Sequence, residues 1–175
     1  SSTQSWIDIR YAEILLNRAE AALELYQNGV ATIDGKDMQQ DAYECINKIR
    51  SRAGAELLTS PAELSNVSRD GIERGQGIRS FVFAPNEGMH IIRVERYKEL
   101  AFEHKIYWDL RRWNVAEKAL ARPIYGMEVT KENGKFVYTR KVAQNRVFTE
   151  KMYLYPIPEG EVWKTNIENN PGWNN

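Results

Sequence analysis

The sequence predicts a mainly α fold: helical hairpins, a small β-hairpin and long loops. Three features carry that expectation. An Ala- and Leu-rich stretch near the start, and a second one with Ala, Cys and Ile, place apolar residues at helical spacing. A long charged and aromatic stretch, Arg93–Trp113, keeps the same period. An Asn-Gly pair sits between two strand-like runs, the strongest short signal for a hairpin.

The first helix is expected at about 7–27. Tyr11, Ile14, Leu15, Ala19, Ala22, Leu23 and Tyr26 follow the i, i+3, i+4, i+7 rule, and Asn28-Gly29 is a fitting stop. Asp34-Gly35 marks a turn in the connection that follows. The second helix is expected at about 39–53, with Ala42, Cys45, Ile46, Ile49 and Ala53 as its apolar stripe and Gly54 as its cap. Two such helices joined by a modest loop form an antiparallel hairpin most simply.

Residues 55–88 read as a loop rich in Gly, Pro, Ser and Asn. Within it, Ser60-Pro61-Ala62-Glu63 has the form of a capped helical turn. Ile78–Ala84 has the form of a short strand. A loop this long in a compact domain is usually functional or mobile. The third helix is expected at about 89–120, bending near Trp113-Asn114 and ended by Pro123. The hairpin follows at about 126–148 around Asn133-Gly134. Met152–Pro158 is an apolar extended run whose prolines exclude a central strand. A short helix is expected around Glu161–Thr165. All of this fits one domain over 1–175.

Lys and Arg together number 24, as do Asp and Glu, so the formal net charge is zero. Nucleic acid is a poor partner for such a chain, since phosphate binding needs a cationic excess. No apolar run approaches the roughly 18–20 residues of a membrane-spanning helix. The opening residues run almost directly into a helix, as a segment cut from a longer protein would. Cys45 is the single cysteine, which leaves no intrachain disulfide and no cysteine-based metal site. His90 and His104 are too far apart for a helical metal site, so neither metal nor cofactor is expected.

Glu95, Glu99 and Glu103 recur every four residues, which on a helix stacks three carboxylates on one stripe. They repel one another unless cations neutralise them. One reading makes them, with Asp109, the acid/base groups of a glycoside hydrolase. The other makes them one side of a charge lattice. Arg10 and Arg18 on the first helix, Arg50 and Arg52 on the second, and Arg96 and Arg112 in the acidic segment supply enough guanidinium groups to saturate the stripe. Charged pairs between adjacent helices are common and hydrolytic sites rare, which favours the lattice. Tyr97, Phe102, Tyr107, Trp108 and Trp113 offer stacking faces, but aromatics at helical spacing usually fill a core. Candidates for ligand contact therefore fall on the long loop: Phe81 and Phe83, with Arg79 and Asn86 as polar neighbours.

Five segments, in order, resemble the C-terminal region of the SusD/RagB family. Arg10-Tyr11-Ala12-Glu13-Ile14-Leu15-Leu16 with Ala19-Glu20-Ala21 is similar to that family's first helix here. Ile46-Asn47-Lys48-Ile49-Arg50-Ser51-Arg52-Ala53-Gly54 resembles its second. Glu95-Arg96, Glu99-Leu100-Ala101-Phe102-Glu103 and Trp108-Asp109-Leu110-Arg111-Arg112-Trp113 resemble its acidic helix. Tyr155-Pro156-Ile157-Pro158 and Asn170-Pro171-Gly172-Trp173 resemble its ending. Two departures stand out: Ile106 replaces a usual Arg before the aromatic pair, and 55–88 is longer than the usual link.

The resemblance implies tetratricopeptide-like helical hairpins in a SusD-like α-α superhelix, of which this chain is the C-terminal part. It implies a non-enzymatic surface lipoprotein of Bacteroidetes. Such a protein would capture oligosaccharide for import through a partner SusC-like TonB-dependent transporter at the outer membrane. The lipid anchor would lie outside this segment. Peptide binding, or a purely protein-interaction scaffold, is the alternative. A hydrolase using Glu95, Glu99 and Glu103 ranks below both. The family's sugar-contacting aromatics lie mostly before this region, so no ligand residue is carried over.

Overall fold

The structure is a computed structural model that describes residues 7–70 and 82–174. It is mainly helical, with helical hairpins and small antiparallel two-stranded sheets. The chain forms two compact units, the first running to Ile106 and the second from Tyr107.

The first unit is built on α1 (Tyr11–Gln27), α2 (Met38–Ala53) and α3 (Glu87–Glu99). Leu16, Leu23, Ile46, Ile49 and Ile92 are essentially removed from water and form its core with Ala19, Ala42, Cys45 and Met89. Between α1 and α2 a two-residue turn joins β1 (Thr32–Ile33) to β2 (Lys36–Asp37). Asp34 and Gly35 both take positive φ, as that tight turn requires. Asp37 then caps α2 by accepting from the Gln40 amide at 2.7 Å, and Gly54 closes the helix in the left-handed conformation.

Helix α1 begins four residues later than the apolar spacing suggests. Arg10 keeps an extended backbone, and Ile7 and Ile9 stay exposed. In the long loop, the expected capped turn is a single 3₁₀ turn, Pro61–Glu63, which Ser60 and Glu63 close as a capping box. The strand expected at Ile78–Ala84 falls largely outside the described residues, and Val82–Ala84 is not strand. Extended pairing occurs instead between the two ends of the loop. Arg69 donates its amide to Pro85 and Glu87 to Val67, both at 3.0 Å. Gly88 lies tight against this crossing: a Cβ there would stand 2.8 Å from the Leu64 carbonyl carbon and 2.9 Å from the Ser65 oxygen.

The continuous helix expected over 89–120 is three helices. Helix α3 stops at Glu99, α4 spans Ile106–Arg112 and α5 spans Ala116–Leu120. Phe102 and His104 take left-handed φ of 66° and 59°, and Asn114 takes 55°. Each is incompatible with an uninterrupted right-handed helix. Only the interruption at Asn114 coincides with the expected bend.

The second unit holds α4 from Tyr107 on, α5, the hairpin β3 (Ile124–Glu132) and β4 (Lys135–Gln144), and α6 (Glu159–Thr165). The strands are antiparallel, with Glu132 opposite Lys135, and Asn133 and Gly134 supply the two positive-φ turn residues. The register places Tyr125, Met127, Val129, Phe136, Tyr138 and Val142 on one face. Every residue of both strands is exposed. The C-terminal residues fasten the extended run before α6. Asn169 binds both the amide and the carbonyl of Ile157, at 2.8 and 3.2 Å, and Asn170 donates to the Tyr155 carbonyl at 2.6 Å. The Trp173 indole N–H reaches the carbonyls of Lys151 and Leu154, both at 3.0 Å.

Candidate functional site

The charged residues of the first unit arrange themselves around α3. Arg10 Nε lies 2.9 Å from one Glu103 oxygen and 3.0 Å from the other, and its Nη1 lies 2.5 Å from Glu99. Its Nη2 donates to Glu103 at 2.8 Å and also to the Glu99 carbonyl. Arg52 reaches the same Glu99 oxygen at 2.5 Å, and Arg50 holds Glu95 at 2.8 Å. One row of carboxylates therefore meets guanidinium groups from the α1 terminus and the α2 terminus together.

Glu95 and Glu99 lie on α3, whereas Glu103 lies beyond its end. The stripe is thus not the single helical ladder that the spacing suggests. The chain leaves the helix after Glu99, and Glu103 is gathered in by the Arg10 fork rather than by helical geometry.

Two further expected members, Arg18 and Arg96, bind elsewhere, and Arg112 makes the i+3 pair with Asp109 that their spacing predicts. Arg18 pairs with Asp41 at 2.7 Å, where Lys36 also pairs. Arg96 donates to Asn17 at 2.6 Å and lies 3.6 Å from Glu13. Arg112 pairs with Asp109, one turn back on α4, at 2.9 Å. Lys105 at 3.1 Å from Glu13 and Arg69 at 2.6 Å from Glu87 were not anticipated. No sequence signal marks either, because each joins residues with no fixed spacing.

Protonation follows this geometry. Burial pushes the Glu99 carboxyl upward, but hydrogen bonds from Arg10 and Arg52 outweigh it and hold the group below the usual carboxylate range. Asp41 behaves alike, with Arg18 and Lys36 overcoming its burial. The Glu103 carboxylate leads in raising the already high pKa of Arg10. Burial raises the Cys45 thiol, which disfavours the reactive thiolate.

A depression of about 380 Å³ lies against Glu95 and Glu99, with Arg50 and Lys98 also on its wall. A glycosidase needs a carboxylic acid that keeps its proton near neutral pH. Glu99 is shifted the opposite way, and Glu95 is bound to a guanidinium. This geometry serves ion pairing rather than proton donation. Among the described residues, no group of three or more His, Cys, Asp and Glu is placed to hold a metal ion.

The loop candidates separate. Arg79 and Phe81 lie outside the described residues. Phe83 takes a positive φ of 44°, and its carbonyl accepts from Arg93 at 3.2 Å. Asn86 is buried, and its amide is used internally. Its oxygen caps α3 through the Met89 amide at 2.9 Å, and its nitrogen donates to Gln27 at 2.8 Å and Asn66 at 3.0 Å. A ligand would have to displace those bonds to reach it.

The helical aromatics differ from expectation in the other direction. None of Tyr97, Phe102, Tyr107, Trp108 and Trp113 is buried; Phe102 is 98% exposed and Trp108 55%. In the second unit Tyr107, Trp108 and Tyr155 surround the Arg111 guanidinium, which lies 4.4 Å from the Tyr155 ring centre and 5.2 Å from that of Trp108. The Tyr155 and Tyr107 hydroxyls share a hydrogen bond at 3.3 Å, and this bond, then burial, raises the Tyr107 pKa. Arg111 also donates to the Tyr153 carbonyl. The spacing of Tyr107 and Trp108 to Arg111, i+4 and i+3, is the sequence signal for this cluster.

The same unit contains a larger groove, of about 730 Å³, lined by Tyr153 with Asn114, Glu117, Lys118, Lys151 and Gly172. No sequence motif marks it, because its walls come from separate stretches of chain.

Comparison with known proteins accords with this architecture. A SusD-like protein P2 from Formosa agariphila is 28% identical, over 98% of this chain and 26% of its own length. The crystal structure of a SusD-like protein from Bacteroides fragilis NCTC 9343 superposes with a TM-score of 0.62 at 27% identity, covering 96% of this chain and 26% of that one. The chain thus spans about a quarter of the length of these relatives. A profile of the SusD family matches residues 1–173. The chain therefore belongs to the SusD/RagB family.

Proposed function

We propose that this chain is part of a surface protein that captures oligosaccharide and passes it to a SusC-like TonB-dependent transporter. The observation that carries the reading is the family match over residues 1–173. In the whole protein a lipid anchor outside this segment would hold it at the outer membrane, facing the medium. The arginine–carboxylate pairs around α3 would brace the scaffold, with ligand contact made elsewhere. Binding rather than turnover suits a site whose buried carboxylates are all held by cations.

The test is a glycan-array or affinity-gel screen of the full-length protein beside this segment. Retained binding by the full-length protein, with no sugar released, is the expected result. Cleavage of a bound glycan, lost in a Glu99→Gln variant that still folds, would establish the hydrolase instead.

One observation favours a second reading, in which the main partner is a protein. The hairpin presents a face on which Tyr125, Met127, Val129, Phe136, Tyr138 and Val142 stand with Lys131 and Arg140, and none of its residues is buried. Such patches commonly mark protein contacts. Co-purification with the transporter in the absence of sugar, lost in a Met127→Ser/Tyr138→Ser variant, would support that role alongside the first.

A further inference from the structure

We infer that the groove of the second unit, lined by Tyr153, is a binding subsite for an uncharged oligosaccharide. This rests on the capture reading above and supplies what that reading lacks, a place on this segment where sugar is held. Its volume of about 730 Å³ lies in the range of small-molecule sites, roughly 300–1,000 Å³.

The groove's chemistry selects the ligand class. Glu117 and Glu150 line it together with Lys118 and Lys151, so the charge is balanced. An anionic chain would meet two carboxylates and a cationic one two ammonium groups. Sugar hydroxyls both donate and accept, so they can use all four, as well as the Asn114 amide. The Tyr153 hydroxyl accepts the Glu117 amide N–H at 3.1 Å, which leaves its own proton available to a ligand hydroxyl.

The walls are held before any ligand arrives. The Tyr153 ring packs edge-on against Phe148 at 5.1 Å, and its carbonyl is held by Arg111. The Lys151 and Leu154 carbonyls are fixed by the Trp173 indole, and the Lys151 ammonium lies 4.4 Å over that indole ring. Gly172, at φ +80°, allows the C-terminal turn to close on this wall. A Cβ there would stand 2.8 Å from that of Lys151. A site fixed in advance loses less entropy on binding.

The experiment uses the full-length protein, with maltohexaose, xylohexaose and laminarihexaose as neutral probes and an oligogalacturonate as the anionic one. Calorimetry would compare the wild type with Lys118→Trp, which places bulk at the exposed rim of the groove. Hydrogen exchange on the wild type, with and without probe, gives a readout that does not depend on any variant folding. The expected result is that a neutral probe binds, Lys118→Trp weakens it about tenfold or more, and exchange slows at 114–118 and 150–154. Neutral binding with unchanged exchange in both segments would overturn the groove and leave capture standing. Slowed exchange there with the anionic probe alone would overturn the ligand class. No binding by any probe would remove the capture reading for these sugars, and the groove with it.

Discussion

Up to Ile106 the chain is held by apolar burial, with Leu16, Leu23 and Ile46 fully enclosed and the charged groups drawn into dense pairs around one helix. From Tyr107 onward very little is buried: Asp109, Leu110, Ala116, Ala119 and Phe148. Order there comes from cations over rings and from side chains bonded to backbone carbonyls. The contrast separates two tasks. A packed core with saturated charges resists change and offers a ligand few free groups. A region fastened by surface contacts leaves its polar and aromatic groups at the solvent, where they can recognise something.

The contrast is tested most severely in the core. Leu16→Ala should destabilise the first unit by about 3–5 kcal/mol, through lost transfer energy and the cavity left behind, as read by denaturant unfolding. An effect below about 1 kcal/mol would mean that α1 is not the keystone of that unit.

The charge pairs come next. Glu99→Gln should cost about 1.5–3 kcal/mol, at the low end because the Arg52 side chain is 58% exposed. It should also flatten the acid limb of stability. The folded Glu99 pKa is depressed, so its contribution is complete above the unfolded value, about 4.3. That contribution disappears as pH falls through the folded value. A wild-type and variant pair with parallel stability profiles between pH 5 and 2 would refute the pairing.

A smaller effect is expected at the C-terminal fastening. Asn169→Ala removes both bonds to Ile157 and should cost about 1–2 kcal/mol. Faster amide exchange in 151–157 and unchanged exchange in α1 would show that the loss is confined to the second unit.

The smallest effect belongs to the hairpin. Tyr138→Ser lies on its exposed face and should change stability of this segment by no more than about 0.5 kcal/mol. A larger loss would show that the face is already covered in solution.

Much of this was legible in the residues. Most of the apolar spacing of α1 and α2 marks their buried faces, although Tyr11, Ile14 and Ala53 are exposed and Leu16, outside the expected stripe, is fully buried; Asn133-Gly134 marks the hairpin turn. Ser60 and Glu63 mark a capped turn. What stayed hidden has specific physical causes. The break after Glu99 involves left-handed Phe102 and His104, residue types that give no warning of a positive φ. Tertiary contacts, among them the Arg10 fork on Glu99 and Glu103, outweigh the local helical preference there. Asn86 looked available as a loop residue, but a position before a helix is also where an amide caps, and that use consumes it. The aromatics read as core because helical period alone cannot say which stripe finds a neighbour. The groove stayed invisible because it is assembled from three separate stretches, 114–118, 150–154 and 171–172, that no spacing links.

Gly88 links the loop to the charge pairs. Helix α3 is a stiff rod rising about 1.5 Å per residue, pinned at its first turn where Gly88 touches the backbone of Leu64 and Ser65. Its far end carries Glu95 and Glu99 to their arginines. A single methyl group at Gly88 would act as a wedge under one end of a lever, and the displacement would emerge some three turns away as misaligned ion pairs. The alignment of Glu95 and Glu99 thus depends on the one position where a hydrogen atom stands in place of a side chain.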